Sequence, residues 1–198
     1  AASDVYKRQV NIIGVNGKHD GLVVRDQNGT SIAVANGAAT TDYLTIGVRR
    51  FDTGTYSQFF GGNVSEVIVF NSILTNIQMQ QVRSYLALKY GVTLSNNSTT
   101  GGIDERDYIA SDAMTNIWSF TANSTYHNNV TIIGRDDNSS LDQRTSTSTD
   151  ADATTNSGNA MLTISTATAF AGDQSFFAAG HNGISALNSA SNNITNVC

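Results

Sequence analysis

The chain has one cysteine, and it is the last residue, Cys198. That excludes an intrachain disulfide and a multi-cysteine metal site. Proline is missing from all 198 residues, where average usage of ~5% would supply about ten, and nothing in the sequence accounts for its absence. Charge is sparse as well. Asp, Glu, Lys and Arg make up 14% of the chain, against ~25% in an ordinary soluble domain. Polarity rests instead on Ser, Thr, Asn and Gly, a mixture that suits turns and β-surfaces and is common outside the cell. The net charge of −5 and pI near 4.9 argue against a phosphate-binding surface, so no nucleic-acid partner is expected. No apolar run approaches the ~18 to 20 residues that cross a bilayer, and no charged-then-apolar signal segment opens the sequence; no membrane insertion is expected. Three histidines, His19, His127 and His181, stand far apart among small polar residues, without the His-x-x-x-His spacing of a zinc site, and read as surface or turn residues. No Gly-x-Ser-x-Gly elbow, Walker A sequence or Gly-x-Gly-x-x-Gly is present.

What is present is organised around residues 61–94, GGNVSEVIVFNSILTNIQMQQVRSYLALKYGVTL. Val67 and Val69 alternate with Ile68 and Phe70, so both faces are apolar and the spacing predicts an interior strand. A helix with readable ends follows. Thr75 and Gln78 have capping-box spacing, Leu74 and Met79 suit a hydrophobic staple, and Gly91 suits a left-handed C-cap. Met79, Val82, Tyr85, Leu86 and Tyr90 form the apolar face expected to cover the strand, with Gln80, Gln81, Arg83 and Ser84 elsewhere.

Upstream, Asn16-Gly17, Asn28-Gly29 and Asn36-Gly37 supply the positive-φ pairs of type I′ turns. They predict strands at 10–15, 22–25, 31–34 and 43–48, at the spacing of a β-sandwich. Residues 51–60 read as a polar, aromatic loop. Downstream, 96–102 is rich in Asn, Ser, Thr and Gly and reads as linker. Strand candidates follow at 108–110, 116–118, 130–134, 160–165 and 174–179, and the Thr/Ser/Asp run 144–157 is expected to be a mobile loop.

The Gly-x-x-x-Glu-Val-Ile-Val-Phe-Asn sequence ending at Asn71, with the capped helix after it, resembles the end of a laminin-G-like, concanavalin A-like jelly-roll domain. Ser84 to Leu94, SYLALKYGVTL, is similar to the junction in large bacterial surface proteins between such a domain and a second, uncharacterised β-rich region. The pieces 108–112, 117–118, 126–129 and 132–137 resemble that second region. Ser3 to Gln9 resembles translated sequencing-adapter read-through. The organisation expected is therefore a non-native tail over 1–9, the C-terminal part of a laminin-G-like sandwich over 10–94, a linker over 95–107, and a truncated second β-rich domain over 108–198. The fold class is all-β: a jelly-roll sandwich fragment with one short helix, then a second β-rich domain.

Jelly-roll glycosidases need two carboxylates about 5 to 10 Å apart, usually as Glu-x-Asp-x-x-Glu on one strand. Here apolar residues follow Glu66, and the only other glutamate, Glu105, lies far along the chain; no catalytic residues are assigned. Calcium takes 6 to 8 oxygens, and laminin-G-like domains sometimes bind it. Among the acidic clusters 104–107, 136–142 and 150–152, Asp136, Asp137 and Asp142 are the calcium candidates, set against a reading as solvated turn residues. Tyr56, in a Gly/Thr/Ser loop with Phe59 and Phe60 nearby, is the candidate ligand-binding aromatic; Trp118 is expected in a core. The function expected is a non-catalytic binding or adhesion module of a bacterial surface or secreted protein, with a glycan or other surface component as partner. A fragment of a polysaccharide-degrading enzyme and a structural spacer are the alternatives.

Overall fold

The computed structural model describes residues 13–16, 23–27, 30–34, 46, 48–50, 54–57, 59–70, 72, 74–95, 99–148 and 162–182. Residues 1–9, His19 and the acidic pair at 150 and 152 lie outside them.

The fold is all-β in its sheets, which are small and antiparallel. Strands β1 (Ile13–Asn16), β2 (Val23–Gln27) and β3 (Thr30–Val34) form a meander in that order. Gln27 pairs with Thr30; the turn signals Asn28-Gly29 and Asn36-Gly37 lie outside the described residues. Of the strand expected at 43–48, the described residues Ile46 and Val48 are bends. A short hairpin follows, β4 (Arg49–Arg50) with β5 (Tyr56–Ser57), the second strand inside the stretch read as a loop.

The interior strand expected at 67–70 is not formed. Residues 63–70 join no sheet, and Val67, Ile68, Val69 and Phe70 are exposed at 49%, 39%, 66% and 46%. Alternating β-branched residues supply strand propensity, but a strand persists only beside a neighbour that takes up its backbone groups. Among the described residues none lies there, and the helix that should cover this segment packs in another direction.

That helix, α1 (Asn76–Tyr90), has the predicted ends. The Thr75 side chain accepts from the Gln78 amide, and Gln78 Oε1 accepts from the Thr75 amide at 2.9 Å, completing the capping box. Gly91 sits at φ 64°, ψ 34° and donates its amide to Ala87 O. Thr75→Ala should lower stability by about 1 kcal/mol, with Thr75→Ser close to wild type; denaturant midpoints measure this, and an unchanged midpoint in the alanine variant would contradict the cap.

The buried face of α1 corrects the sequence reading. Gln80, Arg83, Ser84, Ala87 and Leu88 are buried, at the i, i+3, i+4, i+7, i+8 spacing of one stripe, whereas Met79, Val82, Tyr85, Leu86 and Tyr90 are half-buried. The mainly polar stripe lies against chain that offers backbone groups. Gln80 Nε2 donates to the carbonyls of Glu105 (3.2 Å) and Asp107 (2.5 Å), Gln81 Nε2 donates to Ser111 O (2.5 Å), and Ile109 N–H donates to Ser84 Oγ (3.0 Å). Amide and hydroxyl side chains thus satisfy backbone groups that a sheet neighbour would otherwise take.

The expected linker is structured where described. It contains the hairpin of β6 (Thr99–Thr100) and β7 (Ile103–Asp104), turning on Gly101 and Gly102 at positive φ, and then Glu105, only 2% exposed. Beyond it, β8 (Tyr108–Ile109) pairs with β9 (Asn116–Trp118), followed by the single-turn α2 (Phe120–Asn123) and a 3-10 turn at Ser124–Tyr126. Among the described residues there are thus two α-helices where one was expected. Strand β10 (Asn128–Asp136) is a buried interior strand. It lies between β11 (Leu141–Gln143) and β14 (Ser175–His181), and residues 129–134 are all buried. A turn at 137–140 joins β10 to β11, closed by a Ser140 N–H to Asp137 O bond, as the Asp-Asp-Asn sequence suggests.

The run read as a mobile loop begins as a strand. β12 (Thr145–Thr147) pairs with β13 (Thr163–Ser165), and Ser146 and Ser148 are buried; 149–157 lies outside the described residues. Small hydroxyl side chains let this strand come close to α1, and just beyond its end Ser148 Oγ accepts from Leu162 N–H.

The core joins Ala87 and Leu88 of α1, Val92, Leu94, Tyr108, Trp118, Val130, Ile132, Leu141 and Ala178. Among the described residues α1 therefore packs with the β-rich region that follows it, and residues on both sides of the expected boundary at 94 share one core. Among the described residues no helix is long and apolar enough to cross a membrane.

Candidate functional site

The most exposed apolar surface of the described chain is the stretch from β5 to Phe70. Tyr56, Phe59 and Phe60 are exposed at 52%, 75% and 60%, and Val64, Val67, Ile68, Val69 and Phe70 continue the strip. Scattered exposed apolar residues are ordinary; here they follow one another along the chain. Tyr56, read as a loop residue, is exposed and lies on the β4–β5 hairpin.

Glu66 ties this strip to the end of α1. Its carboxylate receives Lys89 Nζ at 3.0 Å and Tyr90 Oη at 2.9 Å. Partial burial favours its neutral form, but the bonds from Lys89 and Tyr90 outweigh that and hold the carboxyl below the usual range. The same contacts push the Lys89 ammonium up, led by its bond to Tyr85. Glu66 acts here as a tether, with three α1 side chains gathered on one carboxylate.

The other acids are absorbed by the fold. Glu105 faces Arg83 at 3.3 Å, with the two side chains 3% and 9% exposed. Asp136 is 4% exposed; it accepts from the Ser111 amide at 2.9 Å and from the Ser111 hydroxyl, with Gln174 Nε2 nearby. Asp137 pairs with Arg135 at 2.7 Å, and that bond holds its carboxyl below the usual range. Asp142, opposite Arg135 in the β10–β11 register, is exposed. Asp136 and Asp137 thus bond to different partners, and Asp142 faces solvent. Among the described residues no three His, Cys, Asp or Glu side chains are gathered as metal ligands, so the geometry lends the calcium idea no support.

Two histidines read as surface or turn residues are not. His127, 9% exposed, accepts at Nδ1 from Trp118 Nε1 at 2.9 Å and bonds Leu94 O through Nε2 at 2.6 Å. His181 closes β14 and lies 2.7 Å from Asn129 Nδ2. Beside His127, Arg106 grips Asp104 through two nitrogens and stacks on Phe120, its guanidinium carbon 3.4 Å from the ring centre. Asp107 accepts from the Phe120 amide at 2.7 Å. Burial raises its carboxyl above the ordinary value, and that bond offsets part of the rise. No local pattern betrays this cluster, because its members come from four separate segments between Leu94 and His127. Trp118, 5% exposed, is in the core as expected.

No curated protein and no solved structure matches the chain. A family model described as a domain of unknown function, DUF8202, matches residues 78–197. The match starts within α1 and runs through the β-rich region, the same division that the packing makes. The chain belongs to the DUF8202 family.

Proposed function

We propose that this chain is a non-catalytic contact module of an extracellular or cell-surface protein, with the strip from Tyr56 to Phe70 as its binding surface and a glycan as partner. The observation that carries the reading is the run of exposed aromatic and aliphatic side chains at 56–70. Aromatic faces stack on the apolar faces of sugar rings, and Tyr adds a hydroxyl for hydrogen bonding. Sparse charge and a Ser/Thr/Asn-rich composition are further support for an extracellular setting. The internal bonding of Glu105, Asp136 and His127 gives these buried ionisable groups structural tasks. The antiparallel β1–β2–β3 meander supports the reading that the region expected over 10–94 derives, in its part before α1, from a laminin-G-like sandwich.

A glycan array with the intact chain, repeated with Tyr56→Ala and Phe59→Ala, tests the reading. Retention of specific glycans by wild type, and a loss of roughly tenfold or more in affinity in the variants, is expected, since one stacked aromatic contributes about 1.4 kcal/mol or more. Wild type that binds no glycan would leave the spacer reading in its place, and turnover of a bound polysaccharide would favour the enzyme.

A further inference from the structure

The hydrogen bonds of His127 define its protonation state. An indole N–H can only donate, so the Nδ1 that faces Trp118 at 2.9 Å must carry a lone pair. The proton then sits on Nε2 and is given to Leu94 O at 2.6 Å. The neutral ring bridges two segments: the chain leaving α1, which ends at Leu94, and β9, which ends at Trp118. Tyr108 extends the bridge, accepting from the Leu94 amide at 2.9 Å and donating to Val92 O at 3.0 Å. On the far side of the indole, a Cβ added at Gly180 would come within 3.2 Å of Trp118 Cη2, so the ring also lies tight on β14.

A second proton on His127 would set an N–H against the Trp118 N–H. Two donors cannot share that 2.9 Å contact, and no rotation of the ring presents a free acceptor, because both nitrogens then donate. We propose that His127 is an acid-operated latch: neutral, it fastens the segment leaving α1 to β9; doubly protonated, it releases the Trp118 indole and loosens that junction.

The charged and titratable neighbours are Arg106, Asp104 and Asp107, together with Tyr108 at 6.5 Å between ring centres. Burial pushes the His127 proton affinity below its ordinary value of 6.5, the bond to Leu94 opposes this, and Arg106 adds to the lowering. The sign follows from linkage. Below 6.5 the unfolded chain takes up the proton more readily than the folded one, so the latch's full stabilisation is present above 6.5 and is lost as pH falls through the folded-state value.

The chain contains one tryptophan, so its indole reports on the latch without interference. In the full chain, titrated from pH 7.5 to 5, the indole N–H resonance should shift upfield and Trp emission should shift to the red, in step with the nitrogen shifts of His127. At pH 7.5 those shifts should show the tautomer with the proton on Nε2. His127→Gln keeps an acceptor for Trp118 and a donor for Leu94 without a titrating group, so its indole signals should stay constant over the same range, with His19 and His181 still present. The proposal is overturned if His127 takes the second proton without moving the indole, if it is doubly protonated already at pH 7.5, or if His127→Gln shows the wild-type transition. Should that variant not fold, co-titration of His127 and the indole in the wild type decides alone.

Discussion

Replacing Gly91 with alanine should lower stability by about 3 kcal/mol, or ~10 °C in melting temperature. Two costs combine. At φ 64° a side chain pays the left-handed penalty of about 1–2 kcal/mol. A Cβ there would also lie 1.9 Å from Thr147 O, and because that atom is backbone, β12 itself must move away from α1. Gly102→Ala separates the two contributions. Gly102 has φ +84° with nothing within 4 Å of a built Cβ, so only the first cost applies and the loss should be about 1–2 kcal/mol. Denaturant unfolding of both variants measures the difference. Equal losses would mean that the C-cap does not press against β12.

Glu105→Leu should be the most damaging of the charge substitutions, at about 3–5 kcal/mol. It removes the carboxylate that faces a guanidinium only 9% exposed, which must then stay buried beside Gln80 Oε1 at 3.4 Å or break the packing to reach water. The paired substitution Arg83→Met with Glu105→Leu removes both charges and should recover most of the loss, because a buried ion pair repays little more than its own desolvation. A double-mutant cycle by denaturant unfolding reads the coupling. Additive losses would show that the two residues do not act together, and that the polar stripe of α1 is not what joins the helix to its neighbours.

That stripe also marks the limit of what could be read in the sequence. The ends of α1 were legible because Thr75, Gln78 and Gly91 act within a few residues of themselves, and the strands at 116–118 and in β10 because short apolar alternation is local too. The packed face was not. Periodicity ranks Met79, Val82 and Leu86 above Gln80 and Ser84, and nothing near the helix announces that chain some 25 residues later will present bare carbonyls and an amide to that side. The error at 67–70 has the same root, since β-branched alternation records a tendency to pair and says nothing about whether a neighbour stands beside it. His127 was misplaced because its two bonds reach Trp118, nine residues away, and Leu94, 33 residues away. Tyr56 lies on a hairpin where a loop was expected because its partner Arg50 falls just before that stretch, and Asp136 and Asp137, grouped by closeness along the chain, bond to different partners.

Native-state hydrogen exchange on the intact chain tests most directly whether α1 is built into the β-rich region by its polar face. Amides of α1 from Gln80 to Leu88 should open with the same free energy as those of β10 and β14, while the amides of 61–70 exchange near the rate of an unstructured peptide. Protection of α1 that falls away together with 61–70, ahead of β10 and β14, would contradict it.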